Sequence, residues 1–160
     1  MEVKAPHPGR HAEGYDLPAL VRAYAQANQL KHLFRQGWLR AGVPRSLCES
    51  VAEHSYGVAL LTMFLADRIA PELDMEKLLR MALLHDLGEA HAGDITPAMN
   101  VSREQKEALE RGAVRRVLAG LDGEADYLAL WEAYEEGACP EARFIKAVDR
   151  LEMALQAPSS

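Results

Sequence analysis

An adjacent histidine and aspartate, His85-Asp86, close an apolar helical run that begins at Met75. Ionisable side chains on such a face are costly to bury unless they are paired or bound to a metal. Two more groups of the same kind stand far off in the chain, His54 upstream and Asp149 downstream, each on or near an apolar stripe. Imidazole nitrogen and carboxylate oxygen together suit a borderline divalent ion such as Mn, Co, Fe, Ni or Zn. His54, His85, Asp86 and Asp149 would leave room in an octahedral shell for water and a substrate oxygen. An ion held this way acidifies water and polarises a phosphoryl oxygen. Each residue alone has a plainer reading: a satisfied core histidine, or an aspartate paired with Lys146 or Arg150. As a set they would require several independent accidents.

Three further groups follow His85-Asp86 closely. Glu89 shares their helix face if the helix continues that far, and there it could act as general base or acid, or orient a water. Asp94 follows Gly93, and could meet a water, a ribose hydroxyl or a leaving oxygen; its plainer role is a turn cap. His91 is either a supporting group, an additional ligand or a purely structural histidine.

Helical periodicity supplies the elements that must position these groups. It predicts a helix from Asp16 to about Phe34, with Asp16 as N-cap and Pro18 in the first turn. Gln36 to Cys48 reads as a connector. Glu49 to Ile69 reads as a strong helix whose stripe is Val51, His54, Val58, Leu61, Leu65 and Ile69, ended by Pro71. Asp74 caps a helix from Met75 to about Gly88, with Leu78, Leu79, Ala82, Leu83 and Asp86 facing inward. Ala90 to Val101 reads as a loop. Ser102 and Gln105 form a capping box for a helix to about Ala119, and Gly120 to Gly123 turns the chain. Helices from Glu124 to about Glu136 and from Pro140 to Leu155 follow. The last carries an apolar face of Phe144, Ile145, Val148, Leu151, Glu152 and Leu155. No stretch alternates with period two. The expected class is therefore all-α, a bundle of about six helices. Residues 16–157 are expected to form a single domain, after a flexible arm at 1–15 containing His7 and His11 and before a tail at 158–160.

Composition narrows the function classes. The chain has 160 residues, 49% of them apolar, enough for one domain with a sizeable core. Its net charge of −6, with no basic block, argues against a nucleic-acid surface. A bound cation and a few arginines could still admit a small anion. Cys48 and Cys139 are too far apart in sequence for a close redox or metal pair, as expected of free thiols in a reducing compartment. No signal peptide and no apolar run of membrane-spanning length is visible. A cytoplasmic location is the expectation.

With these residues in place, the chain resembles the HD-domain metal-dependent phosphohydrolases, whose pattern of His, then His-Asp, then Asp is matched by His54, His85-Asp86 and Asp149. The flanking text is similar to the 5′-deoxynucleotidase subgroup. It includes Glu49-Ser50-Val51-Ala52-Glu53-His54-Ser55-Tyr56, Met81 to Glu89, Gly93-Asp94-Ile95-Thr96-Pro97 and Asp149-Arg150-Leu151-Glu152-Met153, with Trp131 to Glu135 and Glu141 to Lys146 in support. The resemblance covers about Leu30 to Ala157. It implies hydrolysis of deoxyribonucleoside 5′-monophosphates to nucleoside and phosphate, and support by one cobalt or manganese ion, with Mg, Zn, Fe and Ni as other candidates. It also implies a homodimer. It places Glu89 and Asp94 on catalytic carboxylates; the residues' own chemistry leaves Asp94 open to protonate the leaving 5′-oxygen or to hold the sugar. The phosphate- and sugar-handling element falls on Arg35-Gln36-Gly37-Trp38, with Arg40 as a second basic candidate. Relatives usually continue past Gln156 with another helical segment, so a trimmed C-terminus is a further expectation.

The sequence admits two rival functions. One keeps the enzyme class and changes the substrate to a nucleoside triphosphate, an alarmone or a cyclic nucleotide. The other is a non-catalytic metal- or nucleotide-binding module, which would have no need of Glu89 or Asp94.

Overall fold

The computed structural model describes residues 18–94 and 101–157. The expected arm, the Asp16 cap, the tail, and Ile95-Thr96-Pro97 lie outside the described residues. Among the described residues the fold is all-α. The helices are α1 (Ala19–Ala27), α2 (Gln36–Arg40), α3 (Val51–Ile69), α4 (Met75–Leu84), α5 (Glu89–Ala92), α6 (Arg103–Leu118), α7 (Glu124–Glu136) and α8 (Pro140–Gln156). Six of these have nine or more residues and correspond to the six expected; α2 and α5, of five and four residues, are additions. No helix of the described residues is long and apolar enough to cross a membrane.

Several local expectations hold. The Asp74 carboxylate accepts from the Lys77 N–H at 3.1 Å, capping α4. Ser102 and Gln105 exchange both bonds of the capping box, at 3.1 and 3.0 Å. Pro140 occupies the first turn of α8, where its missing N–H costs nothing.

Other boundaries differ for physical reasons. The first helix stops at Ala27 and tightens into a 3-10 turn over Asn28–Lys31. The connector contains α2. The helix bearing His85 ends at Leu84, residues 85–88 form a turn, and α5 opens at Glu89, inside what the sequence presents partly as loop. At Gly88, within this turn, a Cβ would lie 2.9 Å from both Cβ and the carbonyl oxygen of Glu110 on α6. The chain has to be bare at this point for α6 to approach. Glu89 therefore does not share a continuous helix face with His85 and Asp86.

Contacts group the chain into two compact units. In the first, residues up to Ala52 together with Leu87–Glu124, both α1 and α5 pack on α6. Val114, Val117 and Leu118 of α6 are buried there, as are Leu87 and Ala90. An antiparallel bridge joins Phe34 to Ser50, and the Val51 N–H donates to the Leu33 carbonyl at 2.8 Å. These contacts tie the entrance of α3 to the segment before α2.

The second unit comprises Glu53–Asp86 and the chain from Ala125 on, with α4 packed on α8. Its core is Val58 and Ala66 from α3, Leu78, Met81 and Ala82 from α4, Tyr134 from α7, and Ala142, Ile145 and Val148 from α8. The apolar faces are narrower than expected. Ile69, Leu83 and Leu155 are 69%, 59% and 65% exposed, while Met81 and Ala142 take core places. Small residues carry more of the helix packing than the pattern of large ones suggests.

Candidate metal centre

The second unit brings His54, His85, Asp86 and Asp149 together from α3, the turn after α4, and α8. Ligand atoms of His54, His85 and Asp149 all lie within 4.8 Å of one another. His54 Nε2 is 3.1 Å from Asp149 Oδ1 and 3.7 Å from Asp86 Oδ2, and His85 Nε2 is 3.3 Å from Asp86 Oδ2. The two rings meet edge to face, with centroids 5.4 Å apart.

The other nitrogen of each ring is already used. His54 Nδ1 is 2.6 Å from Glu152 Oε2, and His85 Nδ1 is 2.7 Å from the Ala82 carbonyl oxygen. A carboxylate and a carbonyl can only accept, so each Nδ1 carries the hydrogen. That leaves each Nε2 facing the carboxylates. Both Nε2 atoms are buried and lack a hydrogen bond of acceptable geometry. Buried polar atoms of this kind are rare and call for a partner. A divalent cation between them and the carboxylates would satisfy both, and the nitrogen and oxygen donors suit one. The residues present therefore fit a metal. The histidines are sealed in, while the Asp86 and Asp149 side chains keep 17% and 21% of their exposure, so the carboxylates form the wet edge of the cluster.

Electrostatics reinforce the arrangement. Burial alone would lower the His85 pKa, but Asp86 above all, then Asp149, outweighs it and raises the value to about 9. For Asp149, burial pushes upward, but the adjacent His54 ring and then the charge of His85 pull further down, leaving it below the usual carboxylate range. Burial and then the Asp149 charge push the Tyr134 phenol far above its ordinary value. It stays protonated and donates to Asp149 Oδ2 at 3.4 Å. Lys146 does not pair with Asp149; its ammonium stands 4.5 Å over the Tyr134 ring. Trp131, fully buried, donates its indole N–H to the His85 carbonyl at 3.2 Å and pins the turn.

The remaining expected site residues lie in the first unit. Glu89 is buried at the start of α5. Gly93 closes α5 at φ 81°, a conformation that side-chain-bearing residues resist, and Asp94 follows. Asp94 Oδ2 accepts from the Gln36 N–H at 2.6 Å, so this carboxylate caps α2. Arg35 is the N-cap residue of α2, and Trp38 and Arg40 lie within it. The cap thus ties Asp94 to the segment that carries all three. Trp38 is half-buried and donates to Glu49 Oε1 at 3.1 Å. His91 Nε2 is 2.8 Å from Gln26 Oε1. Burial and the nearby Glu49 charge raise the Cys48 thiol pKa, which disfavours thiolate chemistry.

Glu152 joins the site through His54, a role that sequence patterning does not single out. It was visible as a member of the α8 apolar face, and its spacing of three from Asp149 was the available signal.

The chain is similar to several known proteins. The family model described as HD domain matches residues 27–159. The 5′-deoxynucleotidase HDDC2 of Homo sapiens is 36% identical over 146 residues, spanning 90% of this chain and 69% of the human protein. The protein of the same name from Dictyostelium discoideum is 39% identical over 136 residues, 81% of this chain and 70% of its own length. Among solved structures, a conserved hypothetical protein from Pyrococcus furiosus superposes with TM-score 0.74 at 37% identity, covering 86% of this chain and 79% of that one. A structure titled predicted metal-dependent phosphohydrolase, from Magnetospirillum magnetotacticum, gives 0.72 at 33% identity, covering 86% and 70%.

Proposed function

Since this chain belongs to the HD-domain family, we propose that it hydrolyses deoxyribonucleoside 5′-monophosphates to nucleoside and phosphate, using a metal held by His54, His85, Asp86 and Asp149. It is a metal-dependent phosphohydrolase of the 5′-deoxynucleotidase type, a reading supported by the family match and by relatives from Homo sapiens and Dictyostelium discoideum that are named 5′-deoxynucleotidases. The observation that carries the site assignment is the pair of buried Nε2 atoms that face two carboxylates within one unit and make no well-formed hydrogen bond. A divalent ion there, cobalt or manganese in our reading, supplies Lewis acidity toward a phosphoryl oxygen and lowers the pKa of water.

The chain's own residues do the rest. His54 and His85 each offer one lone pair because the opposite nitrogen is committed. Asp86 and Asp149 neutralise positive charge at the wet edge. Glu89, three residues beyond Asp86 in the chain, takes or directs the proton of the attacking water. Arg35 or Arg40 neutralises phosphate charge, since a guanidinium grips two oxygens at once. Trp38 packs against the sugar. Asp94 holds the sugar or protonates the leaving 5′-oxygen, and through its cap on α2 fixes the segment of Arg35 and Trp38. A single domain over residues 16–157, a homodimer and a cytoplasmic location complete the proposal. Limited proteolysis, sedimentation and cell fractionation test these in turn.

The test of the activity is phosphate release from 5′- and 3′-nucleoside monophosphates, ribo and deoxy, after removal of metal and return of Co, Mn, Mg or Zn singly. Release from the deoxy 5′ compounds with inert 3′ compounds is expected. Turnover of triphosphates far above monophosphates would favour the rival substrate class. Tight nucleotide binding without phosphate release would favour a binding module.

A further inference from the structure

We propose that Glu152 is a positioning residue, whose buried carboxylate holds the His54 imidazole in the tautomer and orientation that present Nε2 to a divalent cation. The inference rests on the reading of His54 as a metal ligand. Glu152 Oε2 lies 2.6 Å from His54 Nδ1, and both side chains are buried, His54 completely. A carboxylate that only accepts fixes the hydrogen on Nδ1 and leaves Nε2 as a lone pair. Charge donated through such a bond also makes the ligand nitrogen more basic.

The fold makes room for this bond. Gly57, three residues after His54 on α3, faces the same carboxylate. A Cβ at Gly57 would lie 2.7 Å from Glu152 Oε1 and 3.2 Å from its Cγ. Gly57 costs helix stability in mid-helix, where alanine is the better former, and the space it leaves is filled by Glu152. On α8, Glu152 stands one turn from Asp149, so a single helix face delivers a ligand candidate and the group that orients another.

The test titrates the metal-stripped full chain with cobalt(II) alone, following heat and the visible absorption of the bound ion. Metal-free unfolding temperature is recorded beside it. Glu152→Ala should bind cobalt ~10–100-fold more weakly. Glu152→Gln should lose less, because its amide oxygen still accepts from Nδ1. Gly57→Ala supplies the second arm: it displaces the carboxylate without deleting it, in a helix that alanine favours. Weakened cobalt binding and an altered cobalt spectrum, with the metal-free unfolding temperature kept, is the expected result. It would support the role even if Glu152→Ala failed to fold. Cobalt binding by Glu152→Gln and Gly57→Ala with wild-type affinity and spectrum would overturn it. Wild-type protein that takes up no cobalt would instead defeat the metal-site reading, and the positioning role with it.

Discussion

At His85 two tendencies oppose each other. Burial disfavours an imidazolium, but the Asp86 and Asp149 carboxylates win and raise its pKa to about 9. The folded value thus lies above the ordinary 6.5, so the protonated form stabilises the metal-free fold. That stabilisation is complete below pH 6.5 and is lost as pH rises to about 9. The unfolding temperature of metal-stripped protein should fall across this window, and His85→Gln should flatten the fall. A metal must displace this proton, so cobalt affinity should rise over the same range. Asp149 provides a second prediction. Lewis-acid stabilisation is worth several kcal/mol, and each ~1.4 kcal/mol is tenfold in rate. Asp149→Asn should therefore reduce phosphate release by about 1000-fold while far-UV circular dichroism stays unchanged. At this scale the four ligand candidates were legible because their types are wrong for apolar helix faces. Glu152 was not legible in its role, because a carboxylate on the apolar face of α8 has no evident partner until the His54 ring is placed beside it.

The helices divide by length in how readily the sequence discloses them. The six long ones carry repeated apolar positions and caps, and Asp74, Ser102 with Gln105, and Pro140 mark three starts. The short α2 and α5 show less than two turns of periodicity and owe their form to tertiary contacts: α2 to the Asp94 cap, α5 to its packing on α6. The end of α4 at Leu84 carries no sequence mark, because Gly88 is helical in conformation, with φ −60°, and serves close approach to α6. Gly88→Ala should accordingly overpack, costing about 1–3 kcal/mol in chemical denaturation. The α4–α8 pair carries its own electrostatic link, the Lys77 ammonium 3.0 Å from the Glu141 carboxylate. The bond to Lys77 lowers the Glu141 pKa from 4.5 to about 2. A lowered folded value stabilises the native state above pH 4.5, and this is lost as pH falls toward about 2. Glu141→Gln should lower the unfolding temperature slightly at neutral pH, and the difference from wild type should close as the pH falls through that window.

Across the whole molecule, a net charge of −6 is an unhelpful background for a phosphate ester. In the proposed site, local positive charge would offset it: a divalent cation on the His54–Asp149 cluster, and the arginines at α2. All-α class and family were legible from the sequence, since the His, His-Asp, Asp order with its flanking text spans most of the chain and the family match covers residues 27–159. The narrowness of the buried faces was not, because hydrophobicity alone cannot say which side of Leu83 or Leu155 another helix will cover.

The most direct measurement is phosphate release from a deoxyribonucleoside 5′-monophosphate by metal-stripped protein, before and after addition of cobalt, with wild type and Asp149→Asn in parallel. Inert stripped protein, activity restored in wild type by cobalt, and little restoration in the variant are the expected results. Equal turnover by wild type and Asp149→Asn, or activity that ignores removal and return of the metal, would contradict the proposed function.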